Sequence, residues 1–467
     1  MPGRGRRGSP GRVHRRFLVS LVVGIMAMAS GVSAEPASVA IVGATIIDGT
    51  GRAPIRDAVI VIVGGRIAAV GPAATVPIPD GTTSINARGK YVVPGLMDAN
   101  VHLLLDIEAE YLIKADGRYE SLIAEAAQAA LRNGLTTVFD TWGPREALIN
   151  VRTAIERGEL VGSRIFLAGN IVGFGGPMSA DFVPAARDVV SRKLADEIDT
   201  AWEQGVGPEL LWLPAEEVRS KVRAYATTRS IDFLKYASSG HTQEQTIAFS
   251  TEAQRAIVEE GQRAGLSVQA HTTSVESLRM ALDAGADILQ HCDVTGKVPI
   301  PGLLLDRMAR EKVPCAALFR TDRHMAWVAS QPQSFQRDRA EIKDVNDRNL
   351  IKAGVPILLS TDAGVYGENI ESSPFASIVA GPDVLTVLGD GHFLWMQAAI
   401  ERGMKPMDVL MAATRNIAAA YKVGHDLGTL EVGKRADLLV LDADPFQDVR
   451  NYRKIRMVMK DGVKLGR

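Results

Sequence analysis

The chain has 467 residues, 46% hydrophobic and 23% charged, which describes a well-cored globule larger than one ordinary domain. Its formal net charge of −1 hides an asymmetry: residues 1–34 carry six arginines and no acid, leaving 47 basic against 54 acidic side chains in the rest. That balance excludes a nucleic-acid footprint or an anionic membrane surface as partner, and two cysteines exclude a disulfide framework.

The basic stretch to Arg16 precedes an apolar run, Phe17 to Ser30, and the small residues Val32-Ser33-Ala34. This order reads as an export signal over 1–34, which would place the mature protein in the periplasm or outside the cell. The run is too short to span a bilayer and no second apolar segment follows it, so no stable membrane insertion is expected. From Ser38 to Ala87, short β-rich runs alternate with turns: Ser38–Asp48, Ala58–Val63, the Gly64-Gly65 turn, then Arg66–Val70. The C-terminal stretch uses the same grammar in Ala436–Asp442 and Ile455–Lys464. The predicted division is a small β-sandwich built from both chain ends, 35–92 and 421–467, with block 93–420 inserted.

In that block strand-like and helix-like segments alternate. Strand candidates are Gly95–His102, Thr136–Thr141, Ser163–Asn170, Ile231–Ala237, Ser267–His271, Asp287–Cys292, Val313–Leu318 and Pro356–Asp362. Helical candidates fill the gaps, among them Glu120–Asn133, Thr251–Ala264 and Val275–Ala284. The pattern predicts an α/β fold closing as a (β/α)8 TIM-type barrel. Segment 171–230 is longer than one βα unit needs and is expected over the barrel mouth. Cys292 and Cys315 are expected as buried free thiols, one bridge between neighbouring strands being the most they allow.

Barrel chemistry sits at the C-terminal strand ends. Asn100 and His102, two residues apart on the first strand, face the same side. Lys235 lies near the end of the fourth, His271 closes the fifth, His291 the sixth and Asp362 the eighth. A lone strand-end histidine is more often structural than a ligand, Lys235 alone reads as a salt-bridge lysine, and Asp362 also suits a helix cap. Three of the eight histidines falling on one predicted rim with a lysine and an aspartate outweighs those readings. Around them, His241 in a loop after the fourth strand, and Arg320 and His324 after the seventh, are candidates for holding substrate. Phe174, Trp142 and Trp212 are candidates for an apolar mouth, while alternation turns Tyr236 out of the interior.

With these residues in place, the chain resembles the metal-dependent amidohydrolase superfamily, of the branch with imidazolonepropionase-like enzymes and Xaa-Pro-type dipeptidases. The run Leu427-Gly-Thr-Leu-Glu-Val-Gly-Lys-Arg-Ala-Asp-Leu-Leu-Val-Leu-Asp442 is similar to the family's closing signature, and Ala412–Ala420 precedes it in the expected order. The resemblance implies one or two divalent ions, zinc being the first expectation, held by His102, His271, His291 and Asp362, with Lys235 as a carbamate bridging two ions. It further implies attack of metal-bound hydroxide on a carbonyl, with Asp362 moving the proton. Asn100 departs from the family's His-x-His; an amide oxygen is a weaker, neutral donor toward the ion. Such an Asn-x-His variant is similar to phenylurea hydrolases, which implies cleavage of a C–N bond in a small-molecule amide, urea or carbamate. Two alternatives stay open: a dipeptidase or N-acyl amino acid hydrolase, with Arg320 or Arg323 anchoring a carboxylate, and a non-catalytic barrel that lost its first metal. Ring deamination is disfavoured by Lys235, and a homo-oligomer is left open.

Overall fold

The computed structural model describes residues 38–104, 112–113, 117–179, 190–227, 230–241, 246–331, 337–364 and 380–466; the expected export segment 1–34 lies outside them. The first five strands are β1 (Ser38–Ile46), β2 (Ile55–Val63), β3 (Arg66–Pro72), β4 (Thr83–Asn86) and β5 (Tyr91–Pro94). The last three are β15 (Leu438–Leu441), β16 (Ile455–Lys460) and β17 (Val463–Lys464). They form one eight-stranded sheet in the order β17-β16-β15-β5-β1-β2-β3, with β4 on β1. β15 runs antiparallel to β5, and β5 parallel to β1, so both chain ends share this sheet. Where two stacked sheets were expected, the strands are connected edge to edge. The reason lies in β1, whose first half pairs with β4 and whose second half pairs with β5. Between the halves Gly43, at φ 82, takes a left-handed turn at an irregularity in the β1–β2 ladder, a conformation that favours glycine.

The central block supplies β6 (Leu96–Val101), β7 (Leu135–Asp140), β8 (Arg164–Leu167), β9 (Ile171–Val172), β10 (Phe233–Ala237), β11 (Ser267–His271), β12 (Ile288–Gln290), β13 (Cys315–Ala317) and β14 (Ile357–Leu359). Seven of these nine fall within predicted segments, and an eighth, β7, begins one residue before its own. The ninth, β9, is two residues long and belongs to the long connection 171–230, where no strand was predicted. All ladders among them are parallel: β6-β7-β8 in one sheet and β14-β13-β12-β11-β10-β9 in the other. Every residue of β6, β7, β10 and β11 is buried, as strands of a parallel sheet covered on both faces are. Gly95 opens this block because nothing larger fits: a Cβ there would meet Thr136 Oγ1 at 2.2 Å.

Between the strands, Tyr119–Arg132, Thr251–Arg263 and Val275–Ala284 form helices close to their predicted bounds. Ser250 and Ser274 accept the amides of Ala253 and Ser277 as N-caps. The long connection contributes the helices Arg192–Glu203 and Ala215–Thr227, and a 3₁₀ turn at Pro208–Trp212. Trp212 stands 88% exposed on that turn and lines no mouth. Cys292 and Cys315 are joined in a disulfide, their Cα atoms 5.8 Å apart, which corrects the expectation of free thiols. Parallel pairing of Leu289 with Cys315 brings the two side chains together on adjacent strands, a proximity that spacing in the sequence does not reveal.

Glu260 is the polar pin of the outer helix layer. Buried on Thr251–Arg263, it accepts from Arg223 at 2.9 Å, from Arg219 at 3.1 Å and from Arg263. Hydrogen bonding by these arginines holds its carboxyl down to about 2. A depressed carboxylate stabilises the fold above its unfolded value near 4.3, and this contribution is lost as pH falls toward about 2. Glu260→Gln is expected to lower the thermal midpoint at neutral pH by about 2–4 °C and to flatten the acid limb of stability against pH, measured by circular dichroism melts.

Candidate active site

Because the central strands are parallel, their C-terminal ends share one side. His271 is the last residue of β11, His291 follows β12, Lys235 sits within β10, and His102 follows β6. Asp362 follows β14, and an isolated parallel bridge, Val101 to Ala363, joins this end to β6. His102 donates its backbone N–H to Ala363 at 2.8 Å, and Asp362 donates its own to Asn100 at 3.0 Å. The first and last predicted barrel strands thus meet at the two residues whose side chains touch: His102 Nε2 lies 3.1 Å from Asp362 Oδ1. His291 Nε2 lies 4.0 Å from the same oxygen, and the His271 and His291 rings are 5.0 Å apart, edge to face. Lys235, Asn100, His102, His271, His291 and Asp362 are therefore brought to one rim.

The electrostatics follow from burial. Desolvation pushes His291 down to about 4 and His271 well below the imidazole range, so both rings are neutral with a lone pair to offer. Burial also lowers Lys235 to about 8, although Asp362 and Asp140 pull the other way. Burial alone would raise Asp362, but the imidazoles of His291 and His102 and the Lys235 amine that face it hold it well below the carboxylate range. Asp362 is partly open to a cavity of about 190 Å³ that His271 and His291 also line.

Three features bear on whether a divalent ion fits. Among the described residues, both ring nitrogens of His271 and Nδ1 of His291 are buried without a hydrogen-bond partner, the state of imidazoles whose lone pairs are meant for something other than protein. His102 Nδ1 lies 3.1 Å from the carbonyl of Trp142, which can only accept, so the Nδ1–H tautomer would satisfy that contact when Nε2 turns to an ion instead of Asp362. Backbone strain marks the same residues: His291 at φ 58 and Asp362 at φ 56 occupy the left-handed region, a cost that proteins keep at functional positions. Among the described residues, no His, Cys, Asp and Glu side chains stand as a ready three-membered ion cage, Asp362 Oδ1 being drawn onto His102 Nε2 and onto Asn100 Nδ2 at 2.6 Å. In kind the donors suit an ion, with Lys235 completing them.

Asn100 is engaged at both ends of its amide. Nδ2 donates to Asp362, while Oδ1 accepts from the Thr141 hydroxyl. Of the softer candidates, His241 and Arg320 line the cavity, and Phe174 packs 5.8 Å from the His241 ring and 5.1 Å from that of His271. His324 stands behind Arg320, its Nδ1 directed to the carbonyl of Pro382 at 2.8 Å. Arg323 is exposed and paired with Asp383, away from the cavity. Tyr236 points outward to Gln254, as alternation predicts.

The sequence reading missed Thr141 and Asp98. Asp98 lies two residues before Asn100 and so shares its face; the alternation that found Asn100 and His102 extends to it. Fully buried and pushed up to about 7 by desolvation, it accepts from Thr361 N at 3.2 Å and Thr361 Oγ1 at 2.5 Å. Thr361 Oγ1 in turn accepts from Ala363 N at 3.2 Å, so Asp98 braces both neighbours of the strained Asp362. Asp98→Asn, which loses one acceptor at this brace, is expected to lower kcat by about tenfold or more while leaving KM near its starting value; steady-state kinetics on the folded variant would check it.

The profile of the amidohydrolase family matches residues 91–465. A solved molinate hydrolase is 38% identical with a TM-score of 0.87, over 92% of this chain and 95% of its own. A solved phenylurea hydrolase B is 37% identical with a TM-score of 0.86, over 92% of this chain and 97% of its own. The ochratoxinase of Aspergillus niger is 27% identical over 91% of this chain and 86% of its own length. Family and neighbours together imply a TIM-barrel fold.

Proposed function

The chain belongs to the amidohydrolase family and is a hydrolase of carbon–nitrogen bonds, and from that premise we propose that it cleaves an N-aryl amide, urea or carbamate with one or two divalent ions held at this rim. The observation that carries the metal is the pair of buried, unpartnered nitrogens on His271. His271 and His291 would hold one ion, and His102 and Asp362 the other, with zinc matching the imidazole-rich donors. Bound there, the metal would supply a Lewis acid that polarises the scissile carbonyl and makes a coordinated water acidic near neutral pH.

The chain's own groups do the rest. Burial lowers Lys235 to about 8, which raises the share of free amine that can add to CO2: the N–C bond forms as one C=O π bond opens, a nitrogen proton passes to solvent, and a carbamate with one negative charge shared by two oxygens results. Asp362, partly open to the cavity beside His291, takes the proton from the attacking water and returns it to the departing nitrogen as the C–N bond breaks. Leu318, Met325 and Val328 give the cavity an apolar wall suited to an aryl group. The N-aryl class is supported by the likeness to phenylurea hydrolase B. A second reading, an N-acyl amino acid or dipeptide as substrate, is favoured by Arg320, Arg339 and Lys343 lining the same cavity.

We read the central sheets as the closed (β/α)8 barrel of block 93–420, and the end-assembled sheet as its satellite domain. Export through residues 1–34 is supported by the disulfide, a bond that persists in oxidising compartments.

Metal analysis of purified protein, beside turnover of an anilide, a phenylurea, a carbamate and an N-acyl amino acid, tests the reading. Metal with turnover of the aryl substrates is expected; metal-free protein inert to all four, with or without added zinc or manganese, would leave a non-catalytic barrel. Lys235→Ala is expected to abolish turnover, with partial recovery on adding short carboxylic acids, and unchanged activity would remove Lys235 from the mechanism. Asp362→Asn is expected to lower kcat by about 10²–10⁴-fold.

A further inference from the structure

Asn100 stands where the strand-end pattern puts an ion ligand, yet both ends of its amide are engaged by neighbouring side chains. The two ends are told apart by their partners. The amide end 2.6 Å from Asp362 Oδ1 is Nδ2, the donor that a carboxylate oxygen accepts from. The remaining end, Oδ1, accepts from the Thr141 hydroxyl. Thr141 has its donor committed there, and its oxygen accepts from Lys235 Nζ at 3.1 Å. A single directed chain therefore runs from Lys235 through Thr141 and Asn100 to Asp362. Thr141, Asn100 and Lys235 are all buried, so no link is exchanged with bulk solvent at low cost.

We propose that Asn100 serves Asp362 rather than the ion, and that Thr141 is the positioning residue that enforces this by occupying the amide oxygen. The proposal rests on the hydrolase reading above and deepens it. Thr141 fixes the amide with Nδ2 toward Asp362, and Nδ2 fixes which lone pair of Oδ1 stays available for the proton in transit. The chain survives carbamate formation on Lys235, because a carbamate nitrogen keeps one N–H and can still donate to Thr141. A histidine at position 100 is not needed for this; an amide is the side chain that offers an acceptor at one end and a donor at the other.

The test uses Thr141→Val, Thr141→Ser, Asn100→Ala and the Thr141→Val/Asn100→Ala double variant. Each is assayed for metal per chain after exhaustive dialysis and for kcat and KM on whichever panel substrate the parent protein turns over. Turnover and metal in the parent protein test the hydrolase reading by themselves, so its failure is seen separately. The proposal expects all four variants to retain the parent metal content. Thr141→Val and Asn100→Ala should each lose about 10- to 100-fold in kcat with KM within about twofold, and the double variant should lose no more than the worse single. Thr141→Ser, which keeps the hydroxyl, should stay within about threefold of the parent. Loss of metal in Asn100→Ala would make Asn100 a ligand and overturn the proposal. So would parent-like kcat in Thr141→Val, or losses that multiply in the double variant.

Discussion

Two backbone hydrogen bonds at one seam underlie the site. His102 donates to Ala363 and Asp362 donates to Asn100, and through them the end of β6 is laced to the chain beyond β14. These segments are far apart in sequence, and only this lacing places a first-strand imidazole against a last-strand carboxylate. The strain is stored here as well: Asp362 adopts a left-handed backbone just where the lacing and the Asp98–Thr361 brace leave it no alternative. A carboxylate held this firmly pays no cost of reorganisation when it accepts a proton.

Beneath the rim, the interior is polar in a controlled way. Gln269 donates to Gln290 and to Tyr421, Gln290 donates to Ser360, and Tyr421 donates to the carbonyl of Ala99. These side chains form a hydrogen-bonded floor with few unmet partners. Against that background the bare nitrogens of His271 stand out. The cavity above combines an apolar wall with cationic side chains, of which Lys343 is tied to Asp293 at 2.6 Å. An aryl group and a polar or anionic tail both find chemistry there that suits them.

Much of this was legible in the sequence, for identifiable reasons. His102, Lys235, His271, His291 and Asp362 could be read because each ends an apolar run, and parallel strands carry run ends to one side. Thr141 ends its run in the same way, on β7, but was passed over because a hydroxyl does not announce metal chemistry. Asp98 was hidden by depth: it lies one pleat further from the rim, where acids are rare and burial sets their properties. The disulfide depended on β12 and β13 being neighbours in register, which no spacing rule supplies. The division of β1 between two partners turned the expected pair of sheets into one connected sheet, and only Gly43 hinted at it.

The placement of β15 between β16 and β5 has a consequence for how the molecule is made. β5 carries Val92 and Val93, fully buried in the finished sheet, yet its antiparallel neighbour is among the last segments to be synthesised. Until then one edge of β5 offers unpaired amides and carbonyls to any other strand. Such a high contact order postpones completion of the fold until nearly the whole polypeptide is available. Truncation close to the C-terminus should therefore be felt at the opposite end of the chain, as an adhesive edge rather than as a simple loss of mass.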